Sequence, residues 1–432
     1  MTISIGELPT NPFYMRFWLR FQSVASIAAS MCVSYGLMTV ISIATARLLG
    51  PASKGQVAAV SSWSQILIWV GTFGLNTAVG VRVAETFRRP GGPLILRQAL
   101  GNSVGHSLLI GTGVAVAAMV ILSRVLSGLG DGTSRLLLIS LAGLPAGILS
   151  SILVSLQLSL ARTARFTAAQ ISGPAILGLV LVGRYVMSGR LTAVDVGIAG
   201  LVSTVVVLAI VSKGLPWKHM AWNKGMLVED LRFGGSTAVG AIFGLVNLRL
   251  DILILSVIVS SLDLGLYSAA NNLMAPILIA PAAAAAHLTP TVARRVGSDG
   301  TTRFIFRQSL LFAAVGGLCG VLLAVAAPVL VPLALGEAYR PAVHLIWILT
   351  PGFVVRGFAS LLVAGAVGQR RPRVGNLAEG LAVVATLVLL PLALPRFGVL
   401  GAAWVSTVAY SVSAITAAGS LWRIERKAEQ RL

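Results

Sequence analysis

Residues 22–46 and 56–80 each run for 25 positions without an Asp, Glu, Lys or Arg, and 137–160 is charge-free in the same way. Crossing the ~30 Å hydrocarbon core of a bilayer takes about 20 helical residues, so each run is long enough. Only 11% of the chain is charged and 56% is hydrophobic, against about 25% charged in soluble domains. A water-soluble fold has no interior large enough for that apolar surface. The alternation of a transmembrane barrel is missing as well. The sequence therefore predicts an all-α polytopic membrane protein.

The spans predicted by hydropathy are 22–46, 56–80, 99–123, 136–160, 166–188, 193–212, 233–258, 264–288, 308–332, 342–366, 374–395 and 398–422. With the N-terminus cytoplasmic, inner segments hold 23 Lys and Arg residues and outer segments hold 8, counting Arg47 and Lys54 as outer. Such a bias is the positive-inside signature, and it places both termini in the cytoplasm. The basic start at Arg16 and Arg20 leads into an apolar run too long for a cleavable signal, so 22–46 is expected as a retained first helix. Residues 213–232, with Trp217, Trp222, Lys218 and Lys224, suit the inner membrane interface. They divide the chain into an N-terminal lobe (1–212), a cytoplasmic interfacial linker (213–232) and a C-terminal lobe (233–432), each lobe with six spans.

The net charge of +20 follows from these loops and does not require nucleic acid as a partner. Cys32 and Cys319 offer no disulfide framework and are expected as small core residues. His106, His287 and His344 show no metal spacing and are expected to be structural. No paired carboxylates, Ser/His arrangement, phosphate-binding Gly loop or Cys/His cluster is present, so neither an enzyme nor a cofactor is expected.

The two halves show traces of an internal repeat. At an offset of 210, Gly55 meets Gly265 and Ala59 meets Ala269; Val-Ser-Thr-Val recurs at 202–205 and 405–408. Repeats of this kind place the substrate path between the halves. Three stretches carry a family resemblance: ARLLGPASKGQVAAVSSWSQILIWVGTFGLNTAVGVRVAE (46–85), LDILILSVIVSSLDLGLYSAANNLMAPILIAPAAAAAHLTPTVAR (250–294) and PRFGVLGAAWVSTVAYSVSAI (395–415). They resemble the bacterial oligosaccharide and polysaccharide flippases of the multidrug/oligosaccharidyl-lipid/polysaccharide exporter superfamily. The pattern departs at Lys54 and Gln56, which leaves the subfamily open. The resemblance implies two helical lobes around a central cavity in the bacterial inner membrane. It also implies a lipid-linked glycan as substrate, often polyprenyl-diphosphate-linked, and glycan-assembly enzymes as partners.

Polar residues inside the spans are the candidate sites. A charge at the bilayer centre costs about 2.5–3.5 kcal/mol even on insertion scales, so Arg249 and Arg356 are not expected to face lipid. Guanidinium meets phosphate oxygens in a bidentate fork, which suits a cavity that binds a diphosphate or an acidic sugar. The competing role is a structural ion pair, such as Arg356 with Asp251 or Glu379. Asp251 and Glu379 are expected as structural partners or ion-coupling groups. Gln65, Asn76, Asn247, Asn271 and Asn272 are neutral candidates for sugar hydrogen bonds, with interhelical hydrogen bonding as their alternative role. Pro276 and Pro281 predict a kink in the eighth span.

Two other functions fit a polytopic helical chain. An ion-coupled exporter of small cations would favour acidic cavity residues, and only Asp251 and Glu379 are intramembrane acids. An enzyme polymerising lipid-linked sugars would need a larger outer loop than this chain has.

Overall fold

The computed structural model describes residues 12–86, 91–130, 132–293, 295 and 300–429. Arg88, Arg89, Arg294 and Arg431 lie outside the described residues, as do the side chains of Arg16, Arg20, His287 and Lys427. In chain order the helices are α1 (Pro12–Thr72), α2 (Leu75–Thr86), α3 (Gly92–Val125), α4 (Gly132–Ala142), α5 (Leu144–Ser159), α6 (Thr163–Ser188) and α7 (Ala193–Ser212), then α8 (Lys224–Ile258), α9 (Ser261–Met274), α10 (Ile279–Ala293), α11 (Thr301–Leu335), α12 (Ala342–Gly368) and α13 (Pro372–Glu429). No strand occurs among the described residues.

Two of these helices are hairpins. α1 breaks at Gly50 (φ 73°) and α13 at Gly398 (φ 55°), backbone conformations that a side chain with Cβ resists. Eight helical segments are long and apolar enough to cross a membrane, and the bent pair α4–α5 (43°) makes a ninth. Separating the arms of α1 and α13, and adding the 35-residue α8, gives twelve crossings, as hydropathy predicts. Between α9 and α10 a 3-10 turn, Ala275–Leu278, carries Pro276, so the helix is interrupted where the prolines predicted a kink. Caps set other boundaries. Thr192 and Asp195 form a capping box that starts α7, Ser260 caps α9 through the Asp263 N–H, and Asn223 caps α8 through the Met226 N–H.

α8 is the helix shared by the two halves. It packs on α13, and on α1 and α2. At the end opposite the Arg-rich loops the halves are fastened directly, α1 against α9. There a Cβ on Gly55 would stand 1.9 Å from the Ser261 carbonyl oxygen, and one on Gly265 would stand 1.8 Å from that of Pro51. The glycines aligned by the repeat thus meet each other, and only glycine permits that approach. Arg47 donates to the Leu333 carbonyl at 2.7 Å, and Tyr339 Oη donates to that of Ala46 at 3.0 Å, adding two more links. α10, beyond the 3-10 turn, packs on α11 and α12 of its own half. Gly265→Val is expected to hold this closure open. Spin labels at positions 53 and 262 would then sit several ångströms farther apart than in the parent; an unchanged distance would refute the closure.

Three expectations are corrected. Residues 224–232, expected in the linker, already form the first turns of α8, because the Asn223 cap starts the helix early. The remaining linker is pinned to α3: Ala221 N–H donates to the Arg97 carbonyl (3.2 Å), and Asn102 and Asn223 exchange hydrogen bonds of 2.9 and 3.0 Å. Cys32 and Cys319 are exposed rather than in the core; both sit in long apolar helices, where a bilayer makes apolar exposure favourable. Lys54, counted as an outer-loop residue, is buried within the second arm of α1. The break at Gly50 is tight enough to leave no loop there.

Candidate functional site

The polar intramembrane residues gather where α8 meets α9, α12 and α13. Asn247 and Asp251 are four apart on α8, hence on one face, and both are buried. Tyr267 Oη donates to Asp251 Oδ2 (2.5 Å), as does Ser406 Oγ at 3.3 Å, while the Ile252 N–H donates to Oδ1 at 2.7 Å. Asp251 is therefore enclosed by donors from α9, α13 and its own backbone. Next to it, Arg356 Nη1 lies 2.7 and 2.8 Å from the two oxygens of Glu379, and Asn247 Nδ2 donates to Oε2 at 2.7 Å. The Arg356 guanidinium also sits 5.5 Å from the Tyr410 ring centroid, within cation–π range. The pairing anticipated for Arg356 is with Glu379, not Asp251.

Arg249 is different. At about 100° per residue, its Cα is turned roughly 200° from both Asn247 and Asp251, yet its guanidinium stays near enough to the cluster to interact with the charge of Asp251 and with Tyr410. It is half-buried. No hydrogen bond or ion pair within 4 Å is formed by its guanidinium among the described residues. Of the two arginines singled out within the spans, Arg356 is in direct contact with a carboxylate and Arg249 is not.

The neutral candidates fall in separate places. Asn271 is buried in α9, and Asn272 Nδ2 donates to Ser42 Oγ at 3.3 Å. Gln65 is exposed on α1. Asn76 belongs to none of these clusters and lines an open cavity of about 520 Å³ among α1, α2, α5, α6 and α7. His106 Nε2 bonds the Gly71 carbonyl (2.8 Å), and His344 stacks edge-on against Trp347.

Sequence reasoning missed Lys54. Its Nζ donates to the Ser42 carbonyl (3.1 Å), Ser42 Oγ (3.2 Å) and Thr45 Oγ1 (2.9 Å), with no carboxylate within 4 Å among the described residues. The available signal was the hydroxyls at 42 and 45, nine to twelve residues back, which a tight hairpin brings opposite position 54. Thr45 Oγ1 keeps its own bond to the Ile41 carbonyl, so Lys54→Met strands no hydroxyl. It is expected to raise stability by about 1–3 kcal/mol, the scale for replacing buried charge with apolar volume. A loss of thermal stability would contradict this.

At the basic end, Arg82 of α2 reaches Asp230 (2.5 Å) and Glu229 (3.1 Å) of α8. Asp230 is buried and its Oδ2 has no partner, so this strut between the halves holds a carboxylate only partly satisfied.

Twelve crossings in two halves, joined by a shared helix and enclosing a buried polar cluster, define a polytopic all-α membrane fold. Residues 21–296 match the family described as polysaccharide biosynthesis protein, and the chain belongs to that family. Comparison with curated protein sequences finds no match. Among solved structures, the fold is similar to an inward-facing multidrug resistance MATE family transporter of the MOP superfamily (TM-score 0.75, 14% identity, 92% of this chain and 95% of that one). It is also similar to the lipid II flippase MurJ in an inward closed conformation (0.73, 12%, 93% and 87%). An outward-facing MATE transporter scores 0.60 at 14% identity, over 94% and 96% of the two chains.

Proposed function

We propose that this protein flips a lipid-linked oligosaccharide, with a polyprenyl diphosphate as the carrier, from the inner to the outer leaflet of the bacterial inner membrane. It would do so by alternating access, receiving substrate from glycan-assembly enzymes. The observation that carries the reading is Arg249. Removing a guanidinium from water without a partner is costly, and a transporter whose cargo supplies the phosphate recovers that interaction on binding. With both termini cytoplasmic, the α1–α9 closure at Gly55 and Gly265 lies on the outer side, and the interruption at Ala275–Leu278 leaves α10 free to part from the first half on the inner side. Cargo binding to Arg249 then favours the swap of closures. The exporter reading is less well supported, because Asp251 is enclosed by Tyr267 and Ser406 and Glu379 is paired with Arg356. Neither acid is left for a cationic drug.

The test is translocation of a fluorescent polyprenyl-diphosphate-linked oligosaccharide in proteoliposomes. Transport above protein-free vesicles is expected. Efflux of a cationic dye without glycan movement would favour the exporter instead.

A further inference from the structure

The 520 Å³ cavity of the first half is lined by neither Arg249 nor the Asp251 and Glu379 cluster, and its lining is chemically distinctive. Ser150, Ser151 and Ser155 of α5, Gln170 of α6, Ser203 of α7 and Asn76 of α2 face it, and no Asp, Glu, Lys, Arg or His does. Hydroxyls on membrane helices ordinarily bond back to a carbonyl three or four residues earlier, as Ser103, Ser159 and Ser172 do here. Ser150, Ser151, Ser155 and Gln170 make no side-chain hydrogen bond among the described residues, although Ser150 is only 7% exposed. Ser150 is buried, while Ser151, Ser155 and Gln170 are partly exposed at the open cavity. Four neutral polar groups left uncommitted by the protein around one cavity, of a size usual for small-ligand sites, present a surface free to hydrogen-bond a ligand.

We infer that this cavity binds uncharged sugar residues of the carried glycan. The inference rests on the flippase reading and adds a substrate class to it. Hydroxyl and amide groups exchange donors and acceptors readily with sugar hydroxyls. A carboxylate-bearing sugar would enter without a cation to meet it and would be excluded. A lipid tail would leave the serines and Gln170 unbonded.

The experiment uses the full chain in nanodiscs and three probes: geranylgeranyl diphosphate, the same lipid carrying a neutral hexose disaccharide, and one carrying a terminal uronic acid. The neutral disaccharide is expected to tighten binding about tenfold, the effect of one or two net hydrogen bonds. Ser151→Ala/Ser155→Ala/Gln170→Met is expected to remove that gain and leave the sugar-free affinity unchanged. No gain from the neutral sugar, a gain that survives in the variant, or equal binding of the uronic acid probe overturns the inference. A second arm does not depend on the diphosphate. In a Cys32→Ser/Cys319→Ser background, maleimide labelling of Ser155→Cys should slow several-fold in excess free neutral disaccharide; unchanged labelling also overturns it. If the sugar-free lipid fails to bind while labelling is still protected, the anion-site reading falls and the sugar site stands.

Discussion

Arg249→Ala is expected to lower glycan translocation by roughly 10- to 150-fold while leaving the protein as stable as the parent or more so. The magnitude follows from losing charge-assisted hydrogen bonds to a phosphate, each about 1.5–3 kcal/mol, at 1.4 kcal/mol per tenfold. The stability follows from geometry. Arg249 makes no hydrogen bond or ion pair within 4 Å among the described residues, so truncation removes a half-buried charge and breaks no hydrogen bond, while Asp251 keeps its donors Tyr267, Ser406 and Ile252. Arg249→Lys retains the charge but loses the fork, and should recover part of the rate. A structural arginine would show the reverse, with stability falling and transport declining only in proportion to folded protein. Transport in proteoliposomes, read beside thermal unfolding in detergent, separates the two.

Glu379→Leu carries the largest expected effect on stability. The Glu379 and Arg356 side chains are 9% and 11% exposed, and the same carboxylate accepts from Asn247. Removing it leaves a guanidinium and an amide buried without an acceptor. Breaking a buried pair from one side costs about 3–5 kcal/mol. The double change Arg356→Leu/Glu379→Leu takes out both charges and should restore most of that loss, since well-packed apolar pairs replace buried ion pairs nearly neutrally. Denaturant unfolding of the single and double variants decides this. A single variant as stable as the parent, or a double variant no better than the single, would contradict the paired role.

Much of the fold could be read before the structure, for a physical reason. In a bilayer the hydrophobic pattern is set by crossing length and the loop pattern by charge, so runs such as 22–46 and 56–80 are read directly. Gly55 and Gly265, which an offset of 210 aligns, could be singled out from the sequence, although not that these two residues touch. What escaped depended on how helices approach each other. Lys54 was read as a loop residue because the sequence does not reveal how tightly Gly50 turns the chain. Cys32 and Cys319 were expected inside because apolar runs do not distinguish lipid-facing from protein-facing positions. The free serines of α5 were invisible for the same reason: Ser150, Ser151 and Ser155 look like ordinary small membrane residues until α2, α6 and α7 are placed around them. Asp251 and Arg249, two apart in one helix, were separable from periodicity alone; the donors that enclose Asp251 were not.

A flippase that holds its cargo through Arg249 must bring that guanidinium against phosphate. The direct measurement is the affinity of the purified parent and the Arg249→Ala protein for geranylgeranyl diphosphate at low and high salt. At low salt the parent is expected to bind at least tenfold more tightly, and the gap should narrow at high salt as ions screen the contact. Equal affinities at both salt concentrations would contradict the account.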